Sequence, residues 1–226
     1  MQTRNGMDEL PSVPIGQDVK LCKACSLAKS KHNPFHPESR NLVLQPGDVI
    51  VADLMGLFPI FFDKTLYGMI IQDHFSSLVT FYPLKIKSDA LQLLINWITQ
   101  FKNLTSHSIK RVRTDNAGEF LSNLLKHFFT QQGIIHETII PYKHHQAEKI
   151  ERTNRTIASA ARSMIFNGSL PPVIWPYAFR HECWVFNWVI HACQDRTPYE
   201  LMTTREPNLA PLRVFGCKAY VHNLTH

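Results

Sequence analysis

Apolar and polar positions change their period along the chain, and the changes mark its elements. From Asp48, the run Val49-Ile50-Val51-Ala52-Asp53-Leu54 is short, β-branched and mostly apolar. It predicts a strand that closes on a carboxylate. Leu66 to Gln72 and Leu78 to Leu84 predict two more strands, separated by the polar Asp73-His74-Phe75-Ser76-Ser77, whose Asp73 is expected to cap the turn. At Ser88-Asp89 the period lengthens. Ala90, Leu93, Leu94, Trp97, Ile98 and Phe101 recur at three- and four-residue steps, predicting a helix from that cap to about Lys102. A strand over Ile109 to Arg113 then delivers Thr114-Asp115. A helix from about Glu119 to Gln132 would place Leu121, Leu124, Leu125 and Phe128 on one face, with Glu119 in its first turn, where the helix dipole favours an acid. Gly133 stops that helix, and Ile134 to Thr138 reads as a short strand.

A loop from Ile139 to about Ala147 leads into a long helix that ends near Phe166. On it Ile150, Asn154, Ile157, Ala161 and Met164 form one stripe, while Glu151, Arg155 and Arg162 share a neighbouring face. A last apolar helix spans Pro172 to about His191, with Trp175, Trp184 and Trp188 expected in core packing, and 194–226 reads as mostly irregular. Three strands, a helix, a strand, a helix, a strand and then helices describe an α/β protein: a mixed sheet with helices packed on it. Residues 1–46 are polar, with little apolar periodicity, and predict a tether or partial small module before a core at 47–193 and an extension at 194–226.

Composition sharpens this picture. With 226 residues, 44% hydrophobic and 11% aromatic, the chain can bury a full core. Its net charge of +6 is spread along the sequence, which favours a polyanionic partner, because neutralised phosphates release counterions. Five cysteines, at 22, 25, 183, 193 and 217, are an odd number, and only the first pair has motif spacing, as in a reducing compartment. The N-terminus lacks the apolar core of a signal peptide, and charges interrupt every apolar run, so neither secretion nor a membrane partner is expected.

Two acids, Asp53 and Asp115, follow predicted strands, and Glu151 lies on a predicted helix with 35 residues between it and Asp115. Hard divalent cations prefer such oxygen ligands, and two of them about 4 Å apart can activate one oxygen and stabilise another in phosphoryl displacement. Spacing alone also suits ordinary surface charges. The wording around the acids decides. Arg113-Thr114-Asp115-Asn116-Ala117-Gly118-Glu119-Phe120 resembles the TDNGxEF signature of retroelement integrases, and Pro141-Tyr142 with Glu151-Arg152-Thr153-Asn154-Arg155-Thr156 resembles their PY…ERxNRT block. Thr197-Pro198-Tyr199-Glu200-Leu201, Pro207-Asn208-Leu209 and Leu212-Arg213-Val214-Phe215-Gly216-Cys217 resemble the stretch that follows the core in copia-type elements. These blocks keep the family's order from about residue 20 to the end.

The resemblance implies a ribonuclease H-like fold and an integrase of a copia-type LTR retrotransposon. It implies 3′-end processing and strand transfer of double-stranded DNA with two Mg²⁺ or Mn²⁺ ions held by Asp53, Asp115 and Glu151. It also implies homo-multimers, association with other element polyprotein products, and action in the nucleus after cytoplasmic particles. Lys143, His144 and His145 before the long helix, and Arg152, Arg155 and Arg162 on it, are candidate DNA contacts; a solubilising surface is the alternative. One local departure stands out. Where the family has Asn-Gly before the catalytic helix, this chain has Ala147-Glu148, losing a permissive turn and a cap. Glu148 would either join the acids or pair with Arg152 as a solvated charge, and an impaired remnant that only binds nucleic acid or assembles is the competing function. Cys22-Lys23-Ala24-Cys25 is half of a Zn²⁺ site, whose two upstream His ligands in the family have no counterpart here; His32 and His36 are either substitutes or part of a basic linker.

Overall fold

β-Branched and aromatic runs bounded by turns become the strands of one sheet, while longer apolar periodicities become the helices that cover it. The computed structural model describes residues 43–105, 107–115, 118–138, 144–192 and 194–218, with backbone alone for 144–148. Cys22, Cys25 and Lys143 lie outside the described residues. Strands β1 (Ile50–Met55), β2 (Tyr67–Asp73), β3 (Val79–Leu84), β4 (Arg111–Thr114) and β5 (Ile135–Thr138) form a five-stranded sheet in the order β3-β2-β1-β4-β5. The first three pair antiparallel through short connections, and β1, β4 and β5 run parallel. Helix α1 (Asp89–Thr105) lies between β3 and β4 in the chain, and α2 (Asn123–Gln132) between β4 and β5. They are followed by α3 (His144–Asn167), α4 (Trp175–Trp188) and a short α5 (Pro198–Thr203).

Alternation along the strands sends successive side chains to opposite faces, and each face has its own core. Ile50, Ala52, Met69, Ile71 and Val112 pack under Leu94, Ile98 and Phe101 of α1 and Leu125 and Phe129 of α2. Val49, Val51, Ile70, Val79 and Phe81 pack under Ile150, Ile157, Ala161 and Ile165 of α3 and Trp175, Phe179 and Phe186 of α4. A ring cluster anchors the second layer. Phe58 stacks on Trp175 at 4.3 Å, Phe81 lies 5.0 Å from Phe179, and the Trp175 indole N–H donates to the Pro59 carbonyl at 2.7 Å.

The predicted elements recur with corrections: β1 runs past Asp53 to Met55, and α3 opens at His144, inside the stretch expected to be loop to about Ala147. The helix expected over Glu119 to Gln132 is divided into a 3₁₀ turn at Gly118–Leu121 and α2, because Ser122 breaks the run and caps α2 by accepting the Leu125 N–H. The break rephases the buried face to Phe120, Leu125 and Phe129, and leaves Leu121 and Leu124 exposed at 37% and 58%. On α3 the stripe closes on Ile165, with Met164 only half-buried. The tail holds α5, started by a reciprocal capping box in which Thr197 and Glu200 satisfy each other's backbone N–H groups. Gly133 ends α2 with φ +66°, and Asp73 caps its turn as expected, accepting from Ser76 N–H and Oγ and also from the Gly47 N–H. Among the described residues no helix is long and apolar enough to cross a membrane.

Candidate active site

Strand alternation places Asp53 on the α3 side of the sheet, in line with Val49 and Val51. The parallel register pairs Val51 with Arg113 and Ala52 with Thr114, so one step further Asp53 and Asp115 stand level on adjacent strands. Neighbouring strands are about 4.8 Å apart, which brings the two acids side by side. Just before Asp115, the ladder to β5 is reinforced by Arg113 Nε to Glu137 Oε2 at 2.6 Å and by Thr114 Oγ1 with His136 Nε2 at 2.9 Å. The sheet therefore holds Asp115 at the end of a braced strand.

Helix α3 crosses above these acids. Glu151 is exposed on its flank, and Asn154, three residues on, is buried and donates Nδ2 to Asp53 Oδ2 at 2.6 Å. Burial, followed by the charge of Asp115 and with a smaller push from Glu151, raises the Asp53 carboxyl to about 6; hydrogen bonds from the Leu54 N–H and Asn154 oppose the rise. The three predicted acids thus share one electrostatic site. They do not form a closed ligand group: among the described residues no three His, Cys, Asp or Glu side chains stand close enough to hold one ion.

The donor set nonetheless fits a hard divalent cation. Asp53 and Asp115 are two carboxylates whose mutual repulsion a cation would relieve, and Glu151 is on a flexible, exposed side chain that can approach from the helix. Asn154 supplies a further sign of polar demand, because its Oδ1 is buried with no hydrogen-bond partner beside Asp53. Sequence reasoning counted Asn154 as one position of the helical stripe and missed its contact with Asp53. The available signal was a polar residue within an apolar stripe, three positions after the third acid.

The candidate cations are divided in placement. Arg152, Arg155 and Arg162 are exposed on α3, with Arg155 and Arg162 on the flank of Glu151. Arg162 Nε donates to the Ala158 carbonyl at 3.2 Å. His144 begins α3, and its side chain, like those of His145, Ala147 and Glu148, lies outside the described residues. Two polar residues that sequence reasoning did not single out join α3 to the C-terminal end of β2: Gln72 Nε2 donates to Thr153 Oγ1 at 3.1 Å, and the Lys149 ammonium donates to the His74 carbonyl. His74 is pushed down to about 4 by burial and by the charges of Lys149 and Arg113.

An antiparallel meander joined to two parallel strands, with helices on both faces, one acid within the central strand and one just past the end of its parallel neighbour under a crossing helix, defines the ribonuclease H-like fold of integrase catalytic cores. The HTLV-2 integrase catalytic core domain in complex with magnesium (trimeric form) aligns with TM-score 0.54 and 20% identity, over 70% of this chain and 98% of that one. A chain of the simian T-cell lymphotropic virus intasome in complex with PP2A regulatory subunit B56 gamma aligns with TM-score 0.57 and 24% identity, over 91% and 69%. No protein-family model matches the chain.

Sequence comparison narrows the class. The chain is 30% identical over 200 residues to the Retrovirus-related Pol polyprotein from transposon RE1 of Arabidopsis thaliana, covering 88% of this chain and 13% of the polyprotein. It is 29% identical over 215 residues to the one from transposon TNT 1-94 of Nicotiana tabacum, covering 94% and 16%. The chain is a homologue of copia-type retrotransposon Pol polyproteins and carries the integrase catalytic-core fold. It spans 13% to 16% of the length of these curated relatives.

Proposed function

We propose that this chain is the catalytic core of a retrotransposon integrase, which trims element DNA ends and joins the resulting 3′-hydroxyls to target DNA. The observation that carries the reading is the register that sets Asp53 level with Asp115, within electrostatic reach of Glu151. Asp53, Asp115 and Glu151 would hold Mg²⁺ or Mn²⁺, which when bound supplies Lewis-acid activation of the attacking oxygen and stabilises the leaving one. Asn154 fixes the Asp53 carboxylate in one orientation by its hydrogen bond. The braced end of β4 holds Asp115, and α3 carries Glu151 toward both. Arg155 and Arg162, on the Glu151 flank, position the phosphate backbone without reading sequence. End processing and strand transfer are both in-line substitutions at phosphorus, so one set of residues serves both. DNA ends, target DNA and further copies of the chain are the partners in this reading. It is supported by the intasome and magnesium-bound core among the structural neighbours.

The test is a labelled element-end duplex incubated with purified protein and Mn²⁺. Nicking and strand transfer by the wild type, abolished by Asp115→Asn, are expected; equal products from both proteins would refute the assignment. A second reading, a nucleic-acid-binding or assembly module that has lost catalysis, is favoured by Ala147-Glu148 and by the open spacing of the three acids. Calorimetric titration separates the two. Divalent-cation binding by the wild type that is lost in Asp53→Ala supports the enzyme, and its absence in the wild type supports the second reading.

A further inference from the structure

The flank of α3 turned away from Glu151 borders a second pocket with the opposite chemistry. Its volume is about 430 Å³, and Lys149, Arg152, Thr153 and Thr156 of α3 line it together with Gln72 of β2 and Gln194 beyond α4. Among the described residues no acidic side chain lines it. The spacing along the helix explains the separation: residues 149, 152, 153 and 156 follow one face, while 151 and 155 follow another, with the buried Ile150, Asn154 and Ile157 between them.

Three observations give this pocket the character of a built site. First, the half-buried Lys149 ammonium rests on the neutral His74 carbonyl and makes no ion pair with any carboxylate among the described residues. The acid nearest in charge, Asp73, is already engaged by Gly47 N–H, Ser76 N–H and Ser76 Oγ. A half-buried cation with no ion-paired carboxylate among the described residues favours an anion from outside the chain. Second, the lining is rigid. Gln72, 1% exposed, donates through Nε2 to both Thr153 Oγ1 and the Ser77 carbonyl, and Thr153 Oγ1 donates to the Lys149 carbonyl at 2.9 Å. Third, Gln194 donates to Ser77 Oγ at 3.2 Å, but its own Oε1 is buried without a partner. A ligand for this pocket therefore needs anionic oxygens for the Lys149 ammonium, which any phosphate supplies, and a P–OH, where the ligand carries one, can donate to Gln194.

We propose that this pocket binds phosphate, as a second anion site on α3 independent of the three acids. Two sources share that chemistry: a backbone phosphate of DNA lying across α3, and free phosphate or pyrophosphate. Only the DNA source rests on the proposed function. The experiment uses the full chain as wild type, Lys149→Met and Thr156→Val. Lys149→Met removes the charge while keeping the length of the side chain, and Thr156→Val keeps the shape of a solvent-facing position in case Lys149→Met fails to fold. Calorimetry with inorganic phosphate and pyrophosphate, and fluorescence anisotropy with duplex DNA over a salt series, are the readouts.

Phosphate binding by the wild type, weakened about tenfold or more in a variant, supports the site. A salt-dependence slope for DNA that falls by about one in Lys149→Met assigns the pocket to a backbone phosphate. An unchanged slope alongside lost phosphate binding assigns it to the free anion. No phosphate binding by the wild type, together with DNA affinity and slope unaltered in the variants that fold, overturns the proposal. Asp115→Asn run in parallel separates this failure from failure of the enzyme reading, since that variant should lose strand transfer and keep both pocket readouts.

Discussion

Asp53→Asn should make the protein more stable in the absence of divalent cations and insensitive to them in their presence. The carboxyl rises from its ordinary 3.8 to about 6 because burial and the adjacent Asp115 disfavour its charge. At about 1.4 kcal/mol per tenfold change in proton affinity, ionisation of Asp53 costs the folded state roughly 3 kcal/mol at neutral pH. Solvent reaches the partly exposed group, and screening reduces the figure to about 1–2 kcal/mol. Asparagine removes that cost and keeps a carbonyl oxygen for the Asn154 amide, so the contact at 2.6 Å survives. The sign follows from proton linkage: between 3.8 and 6 the folded state binds a proton that the unfolded state has released, so the wild type loses stability as pH rises through this window. The advantage of Asp53→Asn is therefore full above pH 6 and vanishes below 3.8. Thermal denaturation in a chelator at pH 7.5 should show the variant melting roughly 3–6 °C higher, and the gap should close at low pH. Adding Mg²⁺ or Mn²⁺ at about a hundred times its dissociation constant should stabilise the wild type by about 2.7 kcal/mol and reverse the order. A variant less stable than wild type in chelator, or an equal cation effect on both, would refute the shared electrostatic site.

Three further outcomes follow from the geometry. Glu182 is 8% exposed on α4, and burial alone pushes it up to about 7, so the fold should lose stability as pH rises from 4.5 through 7. Glu182→Gln should flatten that loss and gain on the order of 1–3 kcal/mol at pH 8, read from urea midpoints at pH 5 and pH 8. Gly133→Ala meets no neighbouring atom but places a Cβ at φ +66°, and should cost about 1 kcal/mol by chemical denaturation with no change in DNA binding. Arg155→Ala should weaken duplex DNA binding equally across sequences and lower the salt slope by about one, whereas a change in sequence preference would contradict a backbone contact.

Local chemistry makes much of this protein legible in its sequence. The strand that carries Asp53, the helix opening at Asp89, the stop at Gly133 and the cap at Asp73 are each written in a few adjacent residues, although the strand runs on past Asp53 to Met55, because turn, cap and period act over one or two turns of chain. Where the local signal was mixed, reading by period failed. Ser122 interrupts an apolar run that looks continuous, and only the packing of Phe120, Leu125 and Phe129 against the sheet shows which phase is buried. The Thr197-Glu200 capping box was present in the tail as a motif, but its helix is too short for periodicity to detect.

Of the candidate site, the sequence by itself determined the identities and order of Asp53, Asp115 and Glu151, because motif wording is a property of neighbours along the chain. Which of them meet, and what else they meet, is a matter of register and helix crossing. The parallel pairing of β1 with β4 makes Asp53 and Asp115 level, and the docking of α3 brings Asn154 onto Asp53 across 101 positions of sequence. The same docking turns Lys149 and Thr153 toward Gln72 and away from the acids. Those contacts depend on apolar burial along both faces of the sheet, a non-directional force summed over the whole core, and so only the tertiary structure decided them.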